Sequence, residues 1–195
     1  MDEPMDEPMD EPMRIAGVIL AAGASTRFGS PKMQARIGGR TMLESVIETA
    51  RLAGLDPIMA VVPPGIAVPP DVVPVVNQDP AAGLSRSLRM GIAALSDEID
   101  AVVILLGDQP TMSVATIRAV IDAAARGRPI VATRAGGLIA PPVLLMRGTF
   151  GLALEANGDE GLRSMLRANS ELVTAIEAGE HPPDVDTPAD LERLS

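Results

Sequence analysis

Two glycines and two basic side chains stand together in the segment 21–32. Gly23 and Gly29 let a backbone approach a ligand closely, while Arg27 and Lys32 bring positive charge, one as a planar fork and the other as a mobile point charge. Such groups suit phosphate oxygens, and the segment reads as a cradle for the phosphates of a nucleoside triphosphate. Its pattern is neither Gly-x-Gly-x-x-Gly nor Gly-x-x-x-x-Gly-Lys-Ser/Thr, so dinucleotide-binding and P-loop chains fit it poorly. A second chemical feature is Gly107-Asp108-Gln109-Pro110, directly after the most apolar run in the chain. Asp108 could simply cap the turn that follows, but an acid at the end of a central strand stands where open α/β sheets bind ligands. Arg86 and Arg89 could touch a substrate, although solvated helix charges are the commoner reading. The single histidine, His181, sits in a Pro-flanked stretch and reads as incidental.

The elements that must position these residues follow from apolar spacing. Residues 15–21 form a continuous apolar run, as expected of a strand buried on both faces of a parallel sheet, and feed the glycine-containing segment. Thr41-Met-Leu-Glu44 has capping-box spacing, with Val46, Ile47 and Ala50 continuing a helical stripe that Gly54 ends. A second strand is predicted at 57–62, then a Pro-rich connection over 63–74 and a short strand at Val75-Val76. Residues 83–95 return to helical spacing, and 101–106 should be a central strand. Ser113 caps a further helix that Gly127 should end, ahead of a strand at 130–133. A strand at 142–146, short helices at 149–156 and 161–168 and a strand at 172–176 complete the expectation. Together they predict an α/β fold of three layers, doubly wound around a mostly parallel sheet.

Composition narrows the class further. The chain has 195 residues, 47% of them hydrophobic, enough for one sizeable core, and residues 13–195 read as a single domain. Residues 1–12 repeat Met-Asp-Glu-Pro three times and should be disordered, as a duplicated or misassigned start would be. That repeat carries over half of the net charge of −10. The acidic balance and an aromatic content of 1% give no surface on which nucleic acid would bind or stack, so none is expected as a partner. The absence of cysteine removes thiol and Cys-ligated metal chemistry. With no long apolar run and an acidic start, the chain reads as cytoplasmic and free of membrane contact.

Several ordered motifs now bear on one family. Leu20-Ala-Ala-Gly-Ala-Ser-Thr-Arg-Phe-Gly-Ser-Pro-Lys32 resembles the signature loop of the MobA-like nucleotidyltransferases. So do Asn77 with Gly83-Leu-Ser-Arg-Ser-Leu-Arg-Met-Gly-Ile92, Leu105-Leu-Gly-Asp-Gln-Pro110, Gly158-Asp159 with Gly161 and Arg163, and Asp184-Val-Asp-Thr-Pro188. Within that family the chain looks most like the molybdenum cofactor cytidylyltransferases.

The resemblance implies a Rossmann-like nucleotidyltransferase fold and carries roles over by position. Ala21, Ala22, Gly23, Asn77, Gly83 and Ser87 would contact the nucleotide, with Ala22 and Gly23 beside base and ribose. Arg27 and Lys32 would hold the phosphates, and Asp108 would bind Mg2+ at the nucleotide. Lys32, Arg27 and Asp108 would thus be the catalytic set. Asp186 would be a second metal ligand, although Asp184 and Asp186 could equally be ordinary acids before a last helix capped by Thr187 and opened by Pro188. Ala22 matches a position that is Ala in the cytidylyl branch and Gly in the guanylyl branch, which points to CTP.

The implied reaction moves CMP from CTP to the terminal phosphate of molybdopterin, the pterin of the molybdenum cofactor, and releases pyrophosphate. A recipient molybdoenzyme would be a further partner. Such a transfer is mainly positioning and charge neutralisation, and an acceptor phosphate already anionic at neutral pH needs no general base. Ile139-Ala-Pro-Pro-Val143 replaces the family's usual Gly-His-Pro-Val-like turn on the pterin side, and Lys32-Met-Gln-Ala-Arg36 its more usual Lys-Leu-Leu. Guanylyl transfer, cytidylyl transfer to another acceptor such as a sugar phosphate or methylerythritol phosphate, and a non-catalytic cofactor chaperone therefore stay open.

Overall fold

The computed structural model describes residues 12–23, 28, 31–135, 137–158, 161–177 and 182–194. The acidic repeat up to residue 11 lies outside them, as do Arg27, Gly29, Asp159 and His181.

Strand β1, Ile15–Leu20, and strand β6, Ala101–Leu106, are buried almost throughout, which is why both are continuous apolar runs. They pair in parallel, from Ile15 opposite Ala101 to Leu20 opposite Leu106. Around them β4 (Ile58–Val62), β5 (Val73–Val76), β7 (Ile130–Ala135), β8 (Leu138–Met146) and β9 (Val173–Glu177) complete a seven-stranded sheet in the order β5-β4-β1-β6-β8-β7-β9. β8 alone runs against its neighbours. Alternate residues serve two cores. Ile19, Val103 and Leu105 face helices α1 (Met42–Ala53) and α3 (Val114–Ala124), while Val18, Leu20 and Ile104 face α2 (Leu84–Ala93), α4 (Phe150–Leu154) and α5 (Leu162–Ala168). This is the three-layer, mostly parallel α/β fold expected.

The helix ends show local sequence at work. Thr41 and Glu44 form the expected reciprocal cap on α1, and Gly54 closes it with φ +91°. Ser113 accepts from the Thr116 amide and starts α3. That helix stops at Ala124 with Ala125 as its cap, so Gly127, at φ +79°, turns the chain after the helix instead of ending it. The helix predicted over 83–95 spans Leu84–Ala93.

Two strands are longer than the sequence implied. β5 begins at Val73 and includes Pro74, which the sheet tolerates because β5 is its edge. β8 begins at Leu138, so Ile139-Ala-Pro-Pro-Val143 lies inside a strand and is no turn before one. The reason is a tight reversal at Gly137 (φ +82°) that pairs Leu138 with Ala135, with the prolines absorbed where the register shifts beyond Ala132. A small hairpin also went unread. β2 (Arg36–Ile37) and β3 (Arg40–Thr41) pair around Gly38 and Gly39, whose φ values of +54° and +87° suit a two-residue turn.

Helix α2 lies very close to the sheet at Gly91. A Cβ there would fall 2.5 Å from Val18 Cγ1 and 3.2 Å from Val61 Cγ2. Overpacking costs about 1–3 kcal/mol, against a gain of about 1 kcal/mol in helix propensity. Gly91→Ala is therefore expected to lower the melting temperature by a few degrees; an unchanged or raised midpoint in thermal unfolding would show that the sheet yields there. Among the described residues no helix is long and apolar enough to cross a membrane.

Candidate active site

The parallel pairing of β1 with β6 decides where the chemistry can gather. Both strands end at the same edge, so Ala21, Ala22 and Gly23 leave one strand beside Gly107 and Asp108 leaving the other. The Gly107 amide donates to the Leu20 carbonyl, and the Ala21 amide to that of Val61. The crossing is tight, since a Cβ on Gly107 would lie 2.8 Å from both Ala21 Cβ and Met33 Sδ. Met33 belongs to a one-turn helix, Lys32–Gln34, and the residues flanking the β2–β3 hairpin are joined just after it by a hydrogen bond from the Met42 amide to the Ala35 carbonyl.

Lys32 is buried, and its Nζ donates to Asp108 Oδ2 at 3.1 Å and to Asp186 Oδ1 at 2.8 Å. Asp186 reaches it because the segment before α6 (Pro188–Glu192) is tied to the Asp108 loop. The Val185 amide donates to the Asp108 carbonyl, Val185 is fully buried, and Gln109 Nε2 donates to Asp184 Oδ1 at 2.8 Å. Thr187 and Pro188 do cap and open α6, but that role and the contact of Asp186 with Lys32 hold together.

Burial pushes the Asp108 carboxyl above its ordinary value, outweighing the Lys32 charge that pulls it down, and the nearby Asp184 charge adds to the rise. Burial alone would lower the Lys32 ammonium, but the two carboxylates together raise it. The lysine is held firmly charged, and the strain of burial falls on Asp108. Asp108 Oδ1 is buried with no hydrogen-bond partner among the described residues. A carboxylate oxygen left in that state, with a second carboxylate sharing its counter-charge, is a donor set suited to a hard divalent cation. Among the described residues there is no cluster of three or more His, Cys, Asp or Glu, so such an ion would complete its shell from ligand or water.

Beside this cluster, Ala22, Gly23, Pro80, Ala81, Gly83, Leu84 and Ser87 line a cavity of about 280 Å3. It is near the small end for ligand pockets, a size that suits one planar ring rather than a whole nucleotide. Asn77 is fully buried and is not among the lining residues; it bonds to Ser87, Arg86 and the Asp79 amide. Arg86 and Arg89 are not solvated helix charges. Arg86 Nε donates to Asn77, and Arg89 donates to the Ala156 carbonyl, because α2 packs its charged face on neighbouring loops.

Residues 17–173 match the family model described as the MobA-like NTP transferase domain. The chain belongs to the MobA-like NTP transferase family. It is accordingly a nucleotidyltransferase. The purine catabolism protein PucB of Bacillus subtilis is 29% identical over 198 residues, which cover 92% of this chain and 95% of PucB. The bifunctional protein GlmU of Hyphomonas neptunium is 38% identical over 112 residues, but they cover 52% of this chain and only 24% of GlmU. The chain thus spans about a quarter of that relative's length. The crystal structure of Rv0371c from Mycobacterium tuberculosis superposes with a TM-score of 0.82 at 30% identity, covering 93% of this chain and 97% of that one. A second Rv0371c structure, with a TM-score of 0.79 at 28% identity and coverage of 93% and 98%, is a complex with manganese.

In this MobA-like NTP transferase, Lys32, Asp108 and Asp186 meet directly, while Ala22, Gly23, Gly83 and Ser87 line one cavity and Ala21 packs beneath the Gly107 crossing. Sequence reasoning missed Gln109 and Asp184 as a clamp on the Asp108 loop. The signal was the alternation in Asp184-Val-Asp186, where a buried Val185 turns both acids the same way.

Proposed function

We propose that the chain is a divalent-metal-dependent cytidylyltransferase that moves CMP from CTP to the terminal phosphate of molybdopterin, releasing pyrophosphate. The observation that carries this reading is the Lys32 ammonium held between Asp108 and Asp186, beside the cavity lined by Ala22 and Gly23. Asp108 and Asp186 would hold the ion, which when bound supplies neutralisation of phosphate charge. The flexible stem of Lys32 lets Nζ turn from the carboxylates to the phosphate oxygens, where it offsets the charge that builds as the α-phosphorus is attacked. An acceptor phosphate oxygen forms the new bond to that phosphorus, and the bond to the bridging oxygen of pyrophosphate breaks in line. No side chain has to remove a proton, because the acceptor phosphate is already ionised at neutral pH. Arg27, matched to the family's loop, is the second phosphate-holding cation of this scheme.

CTP is favoured by Ala22, which is 3% exposed and lines the cavity, so that its methyl group takes space a larger base would need. One methyl group in a pocket is worth about tenfold or somewhat more in discrimination. Ala22→Gly is expected to lower the preference for CTP over GTP by about tenfold, read as the ratio of kcat/KM values in pyrophosphate release with molybdenum cofactor as acceptor. Product formation by the wild type with GTP and none with CTP would overturn the base assignment.

A second acceptor reading is favoured by the Pro141 segment, which is strand here and lacks the family's usual turn. Mass spectrometry of products from molybdenum cofactor and from sugar or methylerythritol phosphates, each supplied with CTP, separates the two.

A further inference from the structure

Asn77 lies behind the nucleotide cavity, yet its bonds determine what Ser87 can offer to that cavity. Its Oδ1 accepts from the Asp79 amide at 3.0 Å and from Arg86 Nε at 3.1 Å. Both partners can only donate, so this end of the side chain must be the oxygen. The other end is therefore the amide nitrogen, which donates to Ser87 Oγ at 3.1 Å. Ser87 accepts in that bond, and its own hydroxyl hydrogen is left to point elsewhere. Ser87 is 3% exposed and lines the cavity, and no described residue accepts that hydrogen. A buried hydroxyl donor without an acceptor is costly unless a ligand supplies one.

We infer that Asn77 is a positioning residue that fixes Ser87 as a donor, so that the cavity takes a base through an acceptor on its edge, the ring carbonyl and nitrogen side of cytosine. The inference rests on the cytidylyl reading above. Arg86 has a part in it as well, because its Nε is one of the two donors that hold the Asn77 amide the right way round. Ser87 touches the nucleotide, and Asn77 acts only through it.

Asn77→Asp tests the polarity directly. The new carboxylate still accepts from Arg86 and the Asp79 amide, so the fold is kept, but it also accepts from Ser87, whose hydroxyl then turns its hydrogen away from the cavity. Binding of CTP to the full chain, measured by calorimetry, is expected to weaken by about tenfold in Ser87→Ala and at least as much in Asn77→Asp. In the double variant the two losses should not add, because without the Ser87 hydroxyl the Asn77→Asp change has nothing to reverse. KM for CTP should rise in each variant with kcat changed far less. Ser87→Ala leaves the buried Asn77 amide short of an acceptor and Asn77→Asp buries a charge, so binding is compared at a temperature at which thermal unfolding shows every variant folded. Additive losses, or CTP binding by Asn77→Asp as tight as wild type, would overturn the polarity lock while leaving cytidylyl transfer standing. Failure of the wild type itself to bind CTP would instead overturn the cytidylyl reading.

Discussion

Asp108→Asn is expected to slow pyrophosphate release by about a thousandfold or more, with little loss of stability. The substitution keeps shape and leaves one oxygen able to accept from Lys32, so the contact at 3.1 Å can persist. It removes the charge and replaces one of the two carboxylate oxygens by a group that cannot hold a cation. In the wild type, burial raises the Asp108 carboxyl, which means that the charged form costs the fold something. A neutral amide relieves that cost, so the melting temperature should stay level or rise slightly. Lost turnover with an intact or raised melting point is the pattern of a residue kept for function at the expense of stability. Nucleotide binding measured without metal should survive, since the cavity residues are untouched. Unchanged turnover would remove Asp108 from the mechanism.

Lys32→Met should cost turnover by about a hundredfold or more and should also make stability depend on pH. The methionine fills the buried stem but leaves Asp108 and Asp186 without their shared cation. Removing one partner of a fully buried pair costs about 3–5 kcal/mol, and the half-exposed Asp186 argues for less, about 2 kcal/mol. The sign with pH follows from Asp108. Its carboxyl is already raised by burial, and the pull of Lys32 in the other direction would be gone. A carboxyl whose folded-state pKa lies above its unfolded value favours the fold while protonated, and that contribution is lost as pH rises through the folded value. The stability deficit of Lys32→Met relative to wild type should therefore be small near the ordinary carboxylate pKa and grow as pH rises to neutrality. Denaturant unfolding across that range, without metal, reads it; a deficit independent of pH would show that Asp108 does not lean on Lys32.

The sequence made some of this legible and hid the rest for identifiable reasons. β1 and β6 are apolar on both faces, so they could be read without knowing their neighbours, and the loops they deliver followed at once. The cap of α1 is local chemistry within four residues. β8 was misjudged because its first half exists only by pairing back on β7 across a reversal. Lys32 and Asp186 could be nominated singly, but their meeting depends on a bond across 154 residues that no spacing announces. Asn77 was recognisable as part of a motif, whereas the direction of its amide needed two donors that only the fold brings to one atom.

The contact between Lys32 and Asp186 closes the longest loop in the site, across 154 residues. Loop-closure cost rises with the length of chain enclosed, and Ile15 and Ala101 of the β1–β6 pair stand closer together in the chain. The β1–β6 pair can therefore be in place while the segment around Asp186 is still unattached. A refolding chain is expected to regain that pair before it regains the two carboxylates around Lys32, with recovery of turnover trailing recovery of strand structure.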